Sequence, residues 1–305
     1  MAFTTAARTG GPVPAPAPPS SRLPRSRTPY LLLLPGLVWL GLFFAVPVAT
    51  LFSTSLQTRV PGGEIGEYTQ TFRFANYLDT IGEYHVQFVR SFLYAGLATV
   101  LALLIAYPLA YYIAQRAGRW RNILLVLVVA PFYASFILRT IAWRQILGEE
   151  GPIVPVLRFL HLIPAGATVT ASAVAVVAGL TYNFLPFMTL PLYASLERID
   201  PRFIEAGGDL YANPFTTFRR VTLPLSMPGV VAGTLLTFIP AAGDYINATL
   251  LGRQPKTTMI GNVVESRFLR VVDYPTAATL SFLLMAAILV LVFGYVRRAG
   301  TEELV

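Results

Sequence analysis

The chain has 305 residues, of which 55% are hydrophobic and only 12% are charged. Soluble domains are about 25% charged, so this composition excludes an ordinary globular protein and predicts an integral membrane protein. The net charge of +8 is typical of arginine that sets membrane topology, and no nucleic-acid partner is predicted.

The first 28 residues are rich in Pro, Ala and Ser and contain four arginines but no acid. Such a segment cannot bury a core, so residues 1–28 are predicted to form a disordered cytoplasmic tail. The apolar run that follows, Tyr30 to Phe52, is longer than the roughly 7–15 residues of a signal-peptide core. We therefore interpret it as an uncleaved first transmembrane helix.

Five more apolar runs are each long enough to cross a hydrocarbon layer of about 30 Å. The sequence thus predicts an all-α polytopic membrane protein with six transmembrane helices over residues 29–298, followed by a cytoplasmic tail over 299–305. Prolines inside the runs predict kinks rather than breaks, because neighbouring helices satisfy the freed carbonyls. The five runs are Phe88–Ala114, Ile123–Leu147, Val169–Tyr193, Leu225–Leu251 and Pro275–Val296, and the prolines are Pro35, Pro47, Pro108, Pro131, Pro186 and Pro240.

Arginine density sets the predicted orientation, because cytoplasmic loops of membrane proteins are enriched in positive charge. The sequence QRAGRWR, residues 115–121, packs three arginines into seven residues, whereas the outer loops mix theirs with acids. Arg90, Arg139 and Arg144 are assigned to the outer ends of their helices. Both termini are then cytoplasmic, and so is the polar segment 197–224 between the fourth and fifth spans.

This polar segment contains two helix starts, because Asp200 precedes Pro201 and Asn213 precedes Pro214. Asp and Asn are good N-caps, and proline is favoured at the first helical position. Two short helices are predicted, over 201–210 and 214–221. They can form a rigid charged protrusion that docks onto a partner, or they can be ordinary amphipathic helices at the membrane surface.

The stretch EAGGDLYANPFTTFRRVTLP, residues 205–224, resembles the EAA loop of ABC importer permeases. In that motif Glu-Ala-Ala, three residues and Gly precede nine residues and Ile-x-Leu-Pro. Here glycine replaces the second alanine, and tyrosine stands where the motif has a glycine that can adopt a positive φ. The residues that the resemblance assigns to ATPase coupling are Glu205, Ala206, Gly207, Asp209, Tyr211, Arg219, Arg220, Leu223 and Pro224, and Val221 stands at the isoleucine position.

The resemblance extends over about residues 30–297. Segments such as YPLAYYIAQRAGRWRNILL and LPFMTLPLYASLERIDP are most similar to spermidine/putrescine permeases within the type I importer family. The resemblance implies a second, different permease subunit, two copies of a cytoplasmic ATPase and an extracytoplasmic solute-binding protein. It also implies a multi-pass protein of the cytoplasmic (inner) membrane of a prokaryote that transports a small cation.

The sequence contains no GxxxxGK[ST] phosphate loop, and its one lysine is Lys256. We therefore predict that this chain is not an enzyme and holds no cofactor, with ATP and Mg²⁺ bound by the partner ATPase. An ion-gradient-driven transporter that uses Asp244 is an alternative, as is an ABC permease for ferric iron or thiamine. An intramembrane enzyme is disfavoured, because there is no cysteine and the two histidines, His85 and His161, fall in connections.

Asp244 is the one acidic residue inside an apolar run. A carboxylate in a membrane usually faces a cavity or a partner, and an acid beside an aromatic ring suits an ammonium group. A salt bridge to Arg139, or a position in the outer loop, is the alternative. The predicted substrate-pathway residues are Asp244, Tyr245 and Asn247, with Trp143, Tyr182 and Asn183 as weaker candidates, and no metal site is predicted.

The predicted topology has a direct test. Cysteine introduced at Glu67 should react with a membrane-impermeant thiol reagent added outside, because the first loop is extracytoplasmic. Cysteine at Gly118 should react only after the membrane is permeabilised. The cysteine-free parent chain is the control, and the reverse labelling pattern would overturn the orientation.

Overall fold

The computed structural model describes residues 28–161, 164 and 169–299. The predicted tail up to residue 27 and the last six residues, 300–305, lie outside the described residues. The chain divides into two units, Met1–Ala49 and Thr50–Val305, and each is described by itself.

In the first unit, helix α1 (Thr28–Leu40) continues through a π-helical turn (Gly41–Ala45) into helix α2 (Val46–Ser55), whose end belongs to the second unit. Pro35 lies inside α1 without ending it. The continuous apolar stretch Leu32–Ser55 is 24 residues long, which is enough to cross a membrane. The first predicted span is therefore present as a helix.

In the described part of the second unit, the regular elements are helices and one antiparallel hairpin of strands β1 (Gln57–Arg59) and β2 (Tyr68–Gln70). Up to the polar segment, its helices are α3 (Ala75–Gln115), α4 (Arg121–Val129), α5 (Phe136–Ile146), α6 (Ile153–Phe159) and α7 (Ala173–Glu197). From the polar segment onward they are α8 (Pro201–Asp209), α9 (Pro214–Thr217), α10 (Leu223–Leu225), α11 (Met227–Ala242), α12 (Ile246–Leu251), α13 (Ile260–Glu265) and α14 (Tyr274–Ala299).

Within the described residues, four helical stretches are long and apolar enough to cross a membrane by themselves. Two bent pairs complete the six predicted spans. Gly118–Tyr133 and Phe136–Ile146 meet at 95°, and Pro214–Leu225 and Met227–Ala242 meet at 66°.

The prediction of kinks rather than breaks is wrong in the third and fifth spans. Near Pro131 the helix tightens into a 3₁₀ turn and stops, and the extended backbone of Ala134 turns the chain into α5. The fifth run, predicted as one helix to Leu251, is interrupted between Ala242 and Ile246. Hydropathy could not show either break, because each run stays apolar enough beyond its break to be counted as one span.

Helix α3 begins at Ala75, thirteen residues before the predicted start at Phe88. Its first turns are polar but are fixed to the hairpin region. The amide nitrogen of Asn76 donates hydrogen bonds to the carbonyl oxygens of Ser55 and Gln57, both at 3.0 Å. Hydrophobicity alone misses this part of the helix, because tertiary hydrogen bonds stabilise it.

The core of the second unit is the packing of α7 against α3 and α11. One face of α3 carries a row of fully buried alanines, and small residues in such a row let helix backbones approach closely. On α11, Gly229 and Gly233 form a GxxxG pair that packs against α7. A Cβ at Gly229 would lie 2.7 Å from the carbonyl oxygen of Pro191. The alanines are Ala95, Ala98, Ala102, Ala106 and Ala110.

This packing predicts a stability effect from one methyl group. Gly229→Ala should lower the free energy of unfolding by about 1–3 kcal/mol, because the new Cβ meets the α7 backbone, which cannot move aside cheaply. Gly294→Ala is the matched control, since nothing lies within 4 Å of a Cβ there. Thermal unfolding of the purified protein measures both variants. Equal melting temperatures would show that the α7–α11 packing is looser than described.

Candidate coupling and substrate-pathway sites

The polar segment between α7 and α11 has the two helix starts that the sequence predicts. Asp200 Oδ1 accepts a hydrogen bond from the backbone N–H of Arg202 at 2.9 Å. Asn213 Oδ1 accepts one from the N–H of Thr216 at 2.7 Å. Each cap satisfies a donor that the helix itself leaves unpaired, so both helix starts are fixed locally.

Tyr211 occupies the turn between α8 and α9 with φ of +57°. A left-handed backbone is costly for a tyrosine, and glycine stands at this position in the family motif. The turn keeps the geometry of the motif in spite of the substitution. The amide N–H of Ala212 donates to the carbonyl of Gly207 at 3.1 Å, which closes the end of α8.

Gly207, which replaces the second alanine of the motif, lies where α8 crosses the start of the next helix. A Cβ at this position would lie 3.0 Å from the Thr217 side chain, which is buried. Glycine therefore lets the two short helices pack closely, so the departure from the motif has a steric reason.

The second short helix, predicted over 214–221, does not end there. Helix α9 passes into a π-helical turn, Phe218–Thr222, and then into α10, so the chain stays helical to Leu225 before it bends. This part of the prediction is wrong. The second half of the segment is the first part of the bent fifth span, which joins it mechanically to α11.

The solvent-exposed surface of the polar segment carries both charged groups and large apolar side chains. Within the described residues, Glu205, Arg219 and Arg220 form no ion pair. Arg219 and Arg220 border a surface cavity of about 330 Å³ together with Phe215. Exposed apolar groups in such a cluster mark an interaction surface. These groups are Phe203, Leu210, Tyr211, which is 99% exposed, and Phe215.

Helix α3 holds both ends of the segment. At its start, the Gln115 side chain donates to the carbonyl of Leu196 at 2.8 Å. At its end, the Tyr107 hydroxyl shares a 2.6 Å hydrogen bond with the Ser226 hydroxyl. Arg121 adds an ion pair to Glu197. The protruding segment is thus fastened to the core and cannot swing as a free loop.

The predicted pathway residue Asp244 lies in the interruption between α11 and α12, not inside a continuous helix. It is buried, and its Oδ1 accepts a hydrogen bond from the backbone N–H of Asn247 at 2.8 Å. The suggested salt bridge to Arg139 is absent from the described residues. The Arg139 guanidinium instead lies over the ring of Phe132 at 5.1 Å.

Asn183 and Asn247 come together in a buried polar layer. The Asn183 amide nitrogen donates to Asn247 Oδ1 at 3.0 Å and to Thr140 Oγ1 at 3.2 Å, which joins α7, α12 and α5. Asn262 completes the layer by donating to the carbonyl of Tyr245 at 2.8 Å. Hydrogen bonds between helices of this kind fix their relative positions inside a membrane.

The other pathway candidates lie in more open surroundings. The rings of Trp143 and Tyr182 contact each other with centroids 5.1 Å apart. Tyr245, next to Asp244, is 43% exposed. The predicted pathway residues thus fall into two groups. The polar residues Asp244, Asn183 and Asn247 are buried and hydrogen-bonded, whereas the aromatic residues Trp143, Tyr182 and Tyr245 are partly buried or exposed.

The sequence analysis missed several polar residues that fix these sites. Thr140 and Asn262 belong to the polar layer, and Tyr107 and Gln115 anchor the polar segment 197–224. For Tyr107 and Thr140 the available signal was a polar side chain within an apolar run, because such groups need an internal partner in a membrane. Gln115 and Asn262 lie outside the predicted runs and gave no such signal. Their partners are distant in sequence and could not be found from it.

Comparison with known proteins decides the family. Residues 98–299 match the binding-protein-dependent transport system inner membrane component family. The chain belongs to this family. It is 36% identical over 260 residues to the spermidine/putrescine transport system permease protein PotB of Haemophilus influenzae, covering 85% of this chain and 90% of the relative.

Two further relatives and two solved structures agree. The permease is 33% identical over 246 residues to PotB of Escherichia coli, covering 81% of this chain and 88% of the relative. It is 32% identical over 294 residues to the inner membrane ABC transporter permease protein YdcU of that organism, covering 90% of each. Its fold matches a bacterial ABC transporter for alginate import with TM-score 0.62 at 17% identity, covering 90% of this chain and 96% of that one.

The methionine ABC transporter MetNI matches with TM-score 0.53 at 18% identity, covering 70% of this chain and 93% of that one. At these identities the two structures show a shared fold. The family match and the relatives show that the permease is a transport subunit of an ABC importer and not itself an enzyme.

The capping role of Asp244 predicts different outcomes for two substitutions. Asp244→Ala should destabilise the permease by about 1 kcal/mol, because the N–H at the start of α12 loses its acceptor. Asp244→Asn should stay within about 0.5 kcal/mol of the parent, since asparagine is an equally good cap. Thermal unfolding in detergent separates the two, and an alanine variant as stable as the parent would rule out the cap.

Proposed function

We propose that this permease is one half of the transmembrane pathway of an ATP-driven importer for a polyamine. The observation that carries the proposal is the polar segment 197–224, which we call the coupling segment. It is fastened to α3 at both ends, and Glu205, Arg219 and Arg220 form no ion pair with any residue that the structure describes. The names of the PotB relatives, at up to 36% identity, support spermidine or putrescine as substrate.

The proposed assembly contains a second, different permease, two copies of a cytoplasmic ATPase and an extracytoplasmic binding protein. Helix α8 docks into a groove of one ATPase subunit, with Glu205, Asp209 and the arginines of the segment at the contact. A movement of the ATPase then displaces the polar segment and with it α11, because α9 to α11 form one bent span. Both termini are cytoplasmic in this assembly, and the hairpin β1–β2 faces the binding protein.

The substrate passes accessible aromatic groups and the buried polar layer. Tyr245 and the pair Trp143–Tyr182 offer ring faces that attract ammonium groups. Asp244 provides negative charge at the interruption of the fifth span, and Asn183 and Asn247 hold that interruption in place. A break in a membrane helix is a usual location for a substrate site, because it frees backbone polar groups.

Reconstituted transport tests this function. The permease, co-purified with its second permease and ATPase, is placed in liposomes with the binding protein and radiolabelled spermidine. We expect accumulation that requires ATP and that unlabelled putrescine competes away. Uptake driven by a proton or sodium gradient without ATP would support the alternative of an ion-gradient-driven transporter. ATP-driven uptake of thiamine but not of spermidine would reassign the substrate.

Charge reversal on the coupling helix tests the docking surface. Glu205→Arg should leave membrane insertion unchanged but reduce ATPase recruitment and uptake by more than about tenfold, because lost charge pairing at an interface costs a few kcal/mol. Glu149→Arg, the same substitution at an exposed position outside the coupling segment, is the matched control. A Glu205→Arg complex that co-purifies and transports normally would show that α8 is not the docking element.

Asp244→Asn keeps the cap but removes the charge, so it isolates the transport role. If the carboxylate attracts the substrate ammonium, uptake should fall about tenfold or more at unchanged stability, since a charge-assisted hydrogen bond contributes about 1.5–3 kcal/mol. Initial uptake rates measure this effect. Normal uptake by the assembled variant would leave Asp244 as a cap alone.

A further inference from the structure

Arg139 in α5 has unmet hydrogen-bonding capacity. Its guanidinium lies over the rings of Phe132 at 5.1 Å and Phe136 at 5.7 Å. Its Nε and Nη1 atoms are buried and have no hydrogen-bond acceptor. Ring faces stabilise the positive charge, but they satisfy none of the N–H groups, so an acceptor is missing.

The guanidinium borders a cavity of about 490 Å³ at the bend of the third span. The lining is aromatic except at Ala134, Ser135, Arg139 and Asn183. The Asn183 side chain is 1% exposed and has an unpartnered Oδ1. The 11-residue helix α5 begins at this cavity, and its N-cap, Ser135, makes no side-chain cap hydrogen bond. The helix start adds partial positive charge to that of the arginine, so the cavity favours an anionic group.

No carboxylate in the described part of this chain forms an ion pair with Arg139. The five ion pairs there involve other arginines, and the Asp244 carboxylate caps α12. A charged side chain in a membrane segment normally pairs with another charge. Tyr133, on the rim of the same cavity, is 92% exposed, so the bend presents an open surface to a neighbouring molecule.

We propose that the cavity at the bend of the third span receives an acidic side chain of the second permease, whose carboxylate pairs with the Arg139 guanidinium. A carboxylate accepts two hydrogen bonds from adjacent N–H groups of a guanidinium, so it supplies an acceptor for Nε or for Nη1. The inference rests on the proposed function in that it requires a second permease subunit. A polyamine does not fit this requirement, since an ammonium group and an unpaired guanidinium repel each other.

The first experiment locates the neighbour of the bend. Because the native chain has no cysteine, Tyr133→Cys gives this chain a single site, which is labelled with a photoactivated maleimide cross-linker before the complex is assembled. We expect a covalent product with the second permease, identified by mass spectrometry. Cross-links only to lipid, or only to another copy of this chain, would overturn the proposal.

The second experiment tests the charge. Arg139→Gln should lower the amount of second permease that co-purifies by about fivefold or more, whereas Arg139→Lys should retain most of it. Arg144→Gln, in the last turn of the same helix, is the matched control and should assemble as the parent does. An Arg139→Gln complex that assembles like the control would contradict the inference.

Charge exchange keeps the test decisive if Arg139→Gln folds poorly. Arg139→Glu should block assembly, and changing the cross-linked acidic residue of the second permease to arginine should restore it. A folding defect within this chain cannot be rescued from the other subunit, so failure of every exchange would overturn the proposal. Assembly is measured without any substrate, so this result does not depend on whether spermidine is the transported solute.

Discussion

Close approach of α3, α7 and α11 is the constraint on which the rest of the second unit depends. In a membrane, lipid tails are as apolar as leucine, so helices associate through tight packing rather than through the hydrophobic effect. The buried alanine row of α3 and the pair Gly229 and Gly233 of α11 give α7 that close contact on two sides. Every functional element described here is attached to one of these three helices.

The coupling segment and the substrate-pathway candidates are connected through the same packing. The segment is fastened to α3 through Tyr107 and Gln115 and continues into α11 through one bend. The other end of α11 stops at the interruption that contains Asp244. In the proposed mechanism, a displacement of the segment moves α11, whose other end lies next to Asp244.

Local sequence signals predicted local structure well. The Asp-Pro and Asn-Pro pairs marked both helix starts correctly, because an N-cap and the proline after it act within a few residues. The structure explains one of the two departures from the family motif sterically, at Gly207, and shows a strained backbone at the other, Tyr211. Tyr211 adopts the left-handed conformation expected of glycine, and Gly207 makes room for Thr217. The roles of these residues in ATPase coupling stay predictions.

The sequence by itself determined the membrane class, the six apolar spans, the caps and the motif, because composition, run length and short-range capping are properties of neighbouring residues. Only the tertiary structure decided where spans three and five break, and which polar residues meet. Apolar residues lie on both sides of each break, so a hydropathy profile does not reveal the break. The partners Asn183–Thr140 and Tyr107–Ser226 are 43 and 119 residues apart, and their contact exists only once the helices have packed.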